Sequence, residues 1–171
     1  MLSAVNDYIL QFTDVVQDNL FRGYQNRSTL PQTDDYTMYY MGGSQRIGTN
    51  VNEYEETQTS QTAKINTLQE YTVNIDFCGS NQETVENRAK TLAVLGRSYA
   101  SCDFFKQYGI NFNFADDVQN LPFTDEEDQF VHRCRIVLHL TRWDNVTINQ
   151  PSADTVVVDK IVNVDVAYPP Q

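Results

Sequence analysis

The strongest constraint on the fold is a strict alternation of apolar and polar residues in two well-separated segments. Segment 70–78 places Tyr, Val, Ile and Phe at every second position, and segment 130–141 does the same with Phe, His, Cys, Ile and Leu. Because successive side chains of a β-strand point to opposite faces, each segment predicts a strand with one face in the core. The valine-rich segment Thr155–Tyr168 predicts a further strand. The long strand 130–141 is expected to pair with either of the other two.

Two other segments have the period of an amphipathic helix. Apolar residues recur at three- and four-residue steps in Ser3–Leu20, where Ser3 is the expected N-cap. Ser80 followed by Glu83 forms a Ser-x-x-Glu capping box, which predicts a second helix running to about Ser101. The order helix, strands, helix, strands favours an α+β domain, with a mainly antiparallel sheet and two main helices packed on one face.

The segments between these elements are polar or irregular. Residues 36–51 are expected to form an outer strand that breaks at Gly42-Gly43, and the Thr-rich segment Asn52–Thr67 predicts a long projecting hairpin. The aromatic segment Phe104–Phe114 and the acidic run Asp125–Asp128 are expected to form a surface excursion. No internal repeat is present, and residues 1–171 are expected to form a single domain.

Composition excludes several functional classes. With 12 basic against 23 acidic residues, the net charge of −11 opposes nonspecific binding to a phosphate backbone. No segment reaches the roughly 18 apolar residues of a membrane-spanning helix, and the N-terminal segment lacks the pattern of a signal peptide. The three cysteines are odd in number and widely spaced, which fits neither a disulfide framework nor a zinc site. Cys78 and Cys134 are expected in the core.

No residue constellation points to catalysis. The only histidines, His132 and His139, are seven residues apart on one predicted strand and therefore face opposite sides. We expect His132 in the core or an interface, and His139 at a solvated position. The acidic run lacks the spacing of a calcium loop, and no phosphate-binding glycine loop is present. We expect no cofactor, metal or enzymatic activity; the alternative is a small enzyme with a diffuse carboxylate site.

Several short segments are similar to those of the neck or tail-terminator family of long-tailed bacteriophages. They occur along most of the chain, in the family's order, and they are structural signatures without a catalytic fingerprint. The segments are Phe21–Arg27 followed by Leu30-Pro31, Arg46–Thr49, Val73–Gly79, Asn87–Ala89 and Gln129–Cys134.

The resemblance implies a structural virion protein of the tail or neck, assembled in the host cytoplasm. Such a protein forms a ring, expected to be a homohexamer, on the tail tube, with the sheath as a further candidate partner. It ends tail elongation and joins the tail to the connector of the head. DNA would pass through the lumen without specific binding. The family-matched contact residues are Arg22, Tyr24, Arg27 and Arg46, and those of the polar hairpin are Glu53, Tyr54, Glu55 and Glu56. Another tail component, such as a tube or tail-completion protein, is the alternative.

Overall fold

The computed structural model describes residues 1–24, 35–56, 61–124 and 129–150. These residues form a mixed α and β structure with a mostly antiparallel sheet of eight strands and three helices. The helices are α1 (Leu2–Phe12), α2 (Gln82–Leu95) and α3 (Tyr99–Lys106). The strands are β1 (Leu20–Arg22), β2 (Asp35–Arg46), β3 (Val51–Glu56), β4 (Gln61–Gly79), β5 (Asn111–Ala115), β6 (Gln119–Asn120), β7 (Phe123–Thr124) and β8 (Phe130–Gln150).

Strands β4 and β8 form the spine of the sheet. They pair antiparallel without a register shift from Gln61↔Gln150 to Gly79↔His132. This confirms the pairing predicted between the two alternating segments; the other candidate partner, Thr155–Tyr168, lies outside the described residues. The strand order is β1-β2-β4-β8-β5, and β1 with β2 is the parallel pair. Strand β3 pairs with the first part of β4, on the side of β4 that β2 occupies further along.

One face of this sheet and the apolar sides of the helices form the core. The alternation places Val73, Ile75 and Phe77 of β4 on the same face as Ile136, Leu138 and Leu140 of β8, and all six are fully buried. Each such side chain stabilises the fold by about 1.5–3 kcal/mol through removal from water. The largest contributors are Tyr8 and Ile9 of α1, Leu92 of α2, Phe105 of α3, Ile75 and Phe77 of β4, and Ile136, Leu138 and Leu140 of β8. Cys78 and Cys134 are also buried, as predicted.

Helix α1 is shorter than its sequence pattern predicted. It ends at Phe12 because Thr13 adopts an extended conformation (φ −128°, ψ 171°) and its hydroxyl donates to the carbonyl of Ile9 at 2.7 Å. The predicted N-cap Ser3 is wrong, since Met1 occupies that position without a side-chain hydrogen bond.

The predicted second helix is two helices, so the expectation of two main helices is corrected to three. Asn81, and not Ser80, is the N-cap of α2: its side chain accepts a hydrogen bond of 3.3 Å from the backbone N–H of Thr84. The chain then turns at Gly96, where a β-carbon would lie 2.4 Å from the β-carbon of Ala115. Helix α3 begins three residues later.

Segment 104–114 is only in part the surface excursion that we expected, because Phe104, Phe105 and Phe112 belong to the core while Tyr108 and Phe114 are exposed. Phe105 lies 4.9 Å from Tyr8 and stacks on Phe112 at 5.5 Å, measured between ring centroids. The hydroxyl groups of Tyr8 and Ser101 are hydrogen-bonded at 2.6 Å. This contact satisfies both polar groups inside the cluster and fixes α3 against α1.

The predicted hairpin at 52–67 is present as the β3–β4 pair, and β8 adds a third strand to it. We call β3, residues 61–69 of β4 and residues 142–150 of β8 the arm. Its β4 segment spans roughly 30 Å at about 3.4 Å per residue. Among the arm's described side chains, Ala63 alone is buried. The arm therefore continues the sheet beyond the core.

Candidate assembly surface

The predicted contact residues that the structure describes lie along one edge of the sheet. Strand β1 pairs with the outer side of β2, and β3 occupies the same side of β4. We call this region the edge surface; it comprises Arg22, Tyr24, Arg46, Glu53, Tyr54 and Glu55. Arg27 and the side chain of Glu56 lie outside the described part of the chain.

Tyr24 is held in place at the start of this edge. The backbone N–H of Gly23 donates to the carbonyl of Tyr39 at 2.9 Å, which extends the β1–β2 pairing by one hydrogen bond. Tyr24 follows with a positive φ of 58°, an uncommon conformation for a residue with a β-carbon. Its ring packs edge-to-face on Tyr40 at 4.8 Å, yet 85% of Tyr24 is exposed. The turn thus presents an ordered aromatic side chain to solvent.

The charged side chains of the edge surface are exposed. Arg22 and Arg46 form no ion pair with any residue in the described ranges. Glu53 and Glu55 lie on β3 opposite Lys64 and Thr62, again without an ion pair there. Exposed charges that have no partner among the described residues are available to a neighbouring molecule.

The sheet face opposite the core carries a buried charge network. Asp76 is fully buried, and its two carboxylate oxygens accept hydrogen bonds from Arg133 at 2.6 Å and Arg135 at 2.7 Å. Arg135 also donates to the Tyr40 hydroxyl at 2.6 Å and lies over the Tyr40 ring. Burial raises the pKa of Tyr40. The sequence pattern placed Asp76 on a polar face and gave no sign that these arginines would cover it.

His139 lies in a cleft of about 240 Å³ on that face and is half-buried, so the expected solvated position is wrong. Its Nδ1 lies 3.1 Å from Glu70, its Nε2 lies 3.3 Å from Asp116, and its ring stacks on Phe114 at 4.1 Å. Hydrogen bonds from Gln45 and His139 lower the pKa of Glu70.

Ser44 also lines this cleft, which raises the question of a serine nucleophile. Nδ1 of His139 is hydrogen-bonded to Glu70, and Nε2 lies 3.3 Å from Asp116 without a hydrogen bond. Among the described residues no hydrogen bond joins His139 to the Ser44 hydroxyl, as it would for a general base. Within the described ranges, no three His, Cys, Asp or Glu residues are grouped so that they could hold a metal ion. The cleft geometry therefore favours a structural role for His139.

Comparison with known families bears on the predicted function of the chain. The sequence profile of the phage neck terminator protein family matches residues 2–170. The chain belongs to this family. No curated protein matches the chain. The resemblance deduced from the short segments is thereby confirmed, and neck terminators are structural components of the virion neck and tail.

For a member of the neck terminator family, exposed surfaces are better candidates for a functional site than pockets are. The described helices of this neck terminator are too short and too polar to cross a membrane. Sequence reasoning predicted Tyr54 as a contact residue. It missed that Tyr54 lies with Val146 and Ile148 in an exposed apolar patch on the arm. Its signal in the sequence is weak because these residues come from two strands, and only their pairing with β4 brings them together.

Proposed function

We propose that this neck terminator closes as a ring of six copies on the last ring of the tail tube. The ring ends tube growth and presents the surface that joins the tail to the neck proteins of the head connector; in a contractile tail it also contacts the sheath. The proposal is supported by family membership and by the sheet edge, where exposed charges and the arm occur together.

The arm is the observation that carries the proposal. Three strands continue beyond the core, with described side chains that are mostly partly or fully exposed. Isolated strands of this kind gain stability by packing against another surface. In the proposed ring the helices cover one face of each subunit's sheet, and the arm and edge surface contact the next subunit. A head-to-tail contact that repeats around a rotation axis leaves no free edge once it closes.

The charge of the chain supports free passage of DNA through the ring. Six copies carry a formal charge of about −66, from −11 per chain. Acidic groups at the lumen repel the phosphate backbone and prevent DNA from adhering during passage. The acidic run Asp125–Asp128 is a candidate for such a lining, and it lies outside the described residues.

Light scattering on the purified protein tests the proposal directly. A species of about 118 kDa, six times the 19.7 kDa chain, is expected alone or after addition of tail-tube ends. A monomer that ignores tube ends would contradict the ring, and open-ended polymers would indicate a tube component instead.

Charge reversal tests whether the edge surface forms the contact. Arg46→Glu is expected to lower self-association, because it places a negative charge on an edge surface that is already rich in glutamate. Lys106→Glu is the matched control: Lys106 is exposed on α3, has no ion pair among the described residues, and changes the net charge equally. Equal losses in both variants would mean that net charge, and not the edge surface, controls association.

A further inference from the structure

The arm has one apolar face. The register places Tyr54 beside Ala63 and Ile148, and it places Ile65 beside Val146. Because β4 has no register shift, Ala63 and Ile65 lie on the same face as the core residues Val73, Ile75 and Phe77. We call Tyr54, Ile65, Val146 and Ile148, grouped around Ala63, the arm patch.

The arm patch is largely uncovered within the described chain. Tyr54 is 59% exposed, Val146 is 62% exposed and Ile148 is 41% exposed. The neighbouring residues on the opposite face of the arm include Glu53, Lys64 and Thr147, which are polar. Val51 and Trp143 are exposed apolar residues of that face, but they lie further from Tyr54 along the arm. An exposed cluster of apolar side chains marks an interaction site.

The body of the same chain has a concave surface of similar character. A groove of about 570 Å³ lies between the end of α1 and the outer side of α2. Its apolar residues are Phe12, Val94 and Leu95, and Val94 is 72% exposed. Lys90 lies at its rim in an exposed ion pair with Glu86, which contributes little to stability and can exchange its partner. We call this the helix groove.

We propose that the arm patch of one subunit docks into the helix groove of a second copy of this chain. A head-to-tail ring requires two different complementary surfaces on each subunit, and these are a projecting apolar patch and an apolar concavity. Both are exposed, so they do not cover each other within one chain. The sign of the charge agrees as well: the edge strand β3 carries Glu53 and Glu55 on either side of Tyr54, with side chains on the other face of the arm, and Lys90 borders the groove. The proposal rests on the ring and names the contact that closes it.

Disulfide trapping tests this contact. In a Cys102→Ser background, which removes the exposed native thiol, Val94→Cys is combined with Ile148→Cys. Oxidation of the assembled protein is expected to give a ladder of covalent oligomers on a non-reducing gel. The control combines Val94→Cys with Thr147→Cys, because Thr147 is the next residue and faces the other side of the arm. It is expected to give no ladder.

A second pair of variants does not depend on cross-linking. Ile148→Asp is expected to weaken ring formation by about tenfold or more, and Thr147→Asp, with the same added charge, by much less. Both positions are exposed, so folding is expected to be retained.

The outcomes separate the contact from the ring itself. A 118 kDa ring without a ladder, and with equal effects of the two aspartate variants, would overturn the docking while the ring stands. A chain that stays monomeric at tube ends overturns both. A third measurement compares the alkylation rate of Ile148→Cys in the monomer, with and without residues 151–171. A faster rate in the chain that ends at Gln150 would mean that residues 151–171 cover the arm patch, and that the second copy is the wrong occupant.

Discussion

At the scale of single residues, the Asp76 carboxylate is a buried charge whose loss is expected to destabilise the fold. It is fully buried and neutralises two partly exposed arginines. Asp76→Asn would leave Arg133 and Arg135 together without a counter-charge, and breaking a buried ion pair from one side costs about 3–5 kcal/mol. We expect a loss near the lower end of that range in the unfolding free energy measured with urea.

The matched comparison for Asp76 is an exposed ion pair of the same chemistry. Arg97 and Asp117 are 2.6 Å apart, with 71% and 90% of their side chains exposed. Asp117→Asn is expected to change the unfolding free energy by less than about 1 kcal/mol. Equal effects of the two substitutions would show that the Asp76 network is not a stability determinant.

Arg88 makes the stability of the protein depend on pH. It joins α2 to Asp14 at 2.6 Å and to Asp35 at 2.5 Å. The hydrogen bond from Arg88 lowers the pKa of Asp14 from its usual value of 3.8. A carboxylate whose pKa is lowered by folding stabilises the protein fully above its unfolded pKa, and the stabilisation is lost as pH falls through the folded pKa.

Arg88→Met is therefore expected to flatten the loss of stability in acid. Urea unfolding at about pH 6, 4 and 3 should show a smaller decrease in unfolding free energy for this variant than for the wild type. Parallel curves for the two proteins would mean that Asp14 does not gain from Arg88 in the folded state.

At the scale of elements, the break between α2 and α3 is set by close packing. Gly96 has a helical φ of −61°, so its requirement for glycine is steric: a β-carbon would approach Ala115 to 2.4 Å. Gly96→Ala is expected to cost about 1–3 kcal/mol through overpacking and to lower the melting temperature. Gly48→Ala, where a β-carbon meets nothing within 4 Å, is the control and should leave it nearly unchanged.

The same elements show what the sequence could and could not predict. The alternation in β4 and β8 predicted which of their residues face the core, because a period of two is a local property of the chain. The break at Gly96 was not predicted, although glycine is a common residue at helix ends. The close approach of Ala115, which is distant in sequence, exists only in the folded chain. Asn81 and Ser80 are both good caps, and sequence preference alone does not choose between them.

The predicted contact residues stay a prediction. Arg22, Arg46, Glu53 and Glu55 are all exposed near one edge of the sheet, which is compatible with a contact. The arm patch was hidden because it depends on strand register, which the sequence of β3 or β8 alone does not contain.

At the scale of the whole molecule, net charge opposes the assembly that the apolar surfaces favour. Each copy carries −11, so identical chains repel one another at long range. Salt shortens this repulsion, with a screening length of about 30 Å at 0.01 M and about 10 Å at 0.1 M, whereas apolar contacts are not weakened. We expect the association constant, measured by analytical ultracentrifugation, to rise by about tenfold or more between these two salt concentrations.

The sign of this salt dependence identifies the dominant force between subunits. A rise with salt means that apolar docking works against net repulsion, and Ile148→Asp should then weaken association at every salt concentration. A fall with salt would mean that local attraction between the edge-surface charges outweighs the repulsion, since screening lowers association only where the net interaction between charges is attractive. In that case Arg46→Glu, and not Ile148→Asp, should be the more damaging substitution, and the arm would act chiefly through its glutamates.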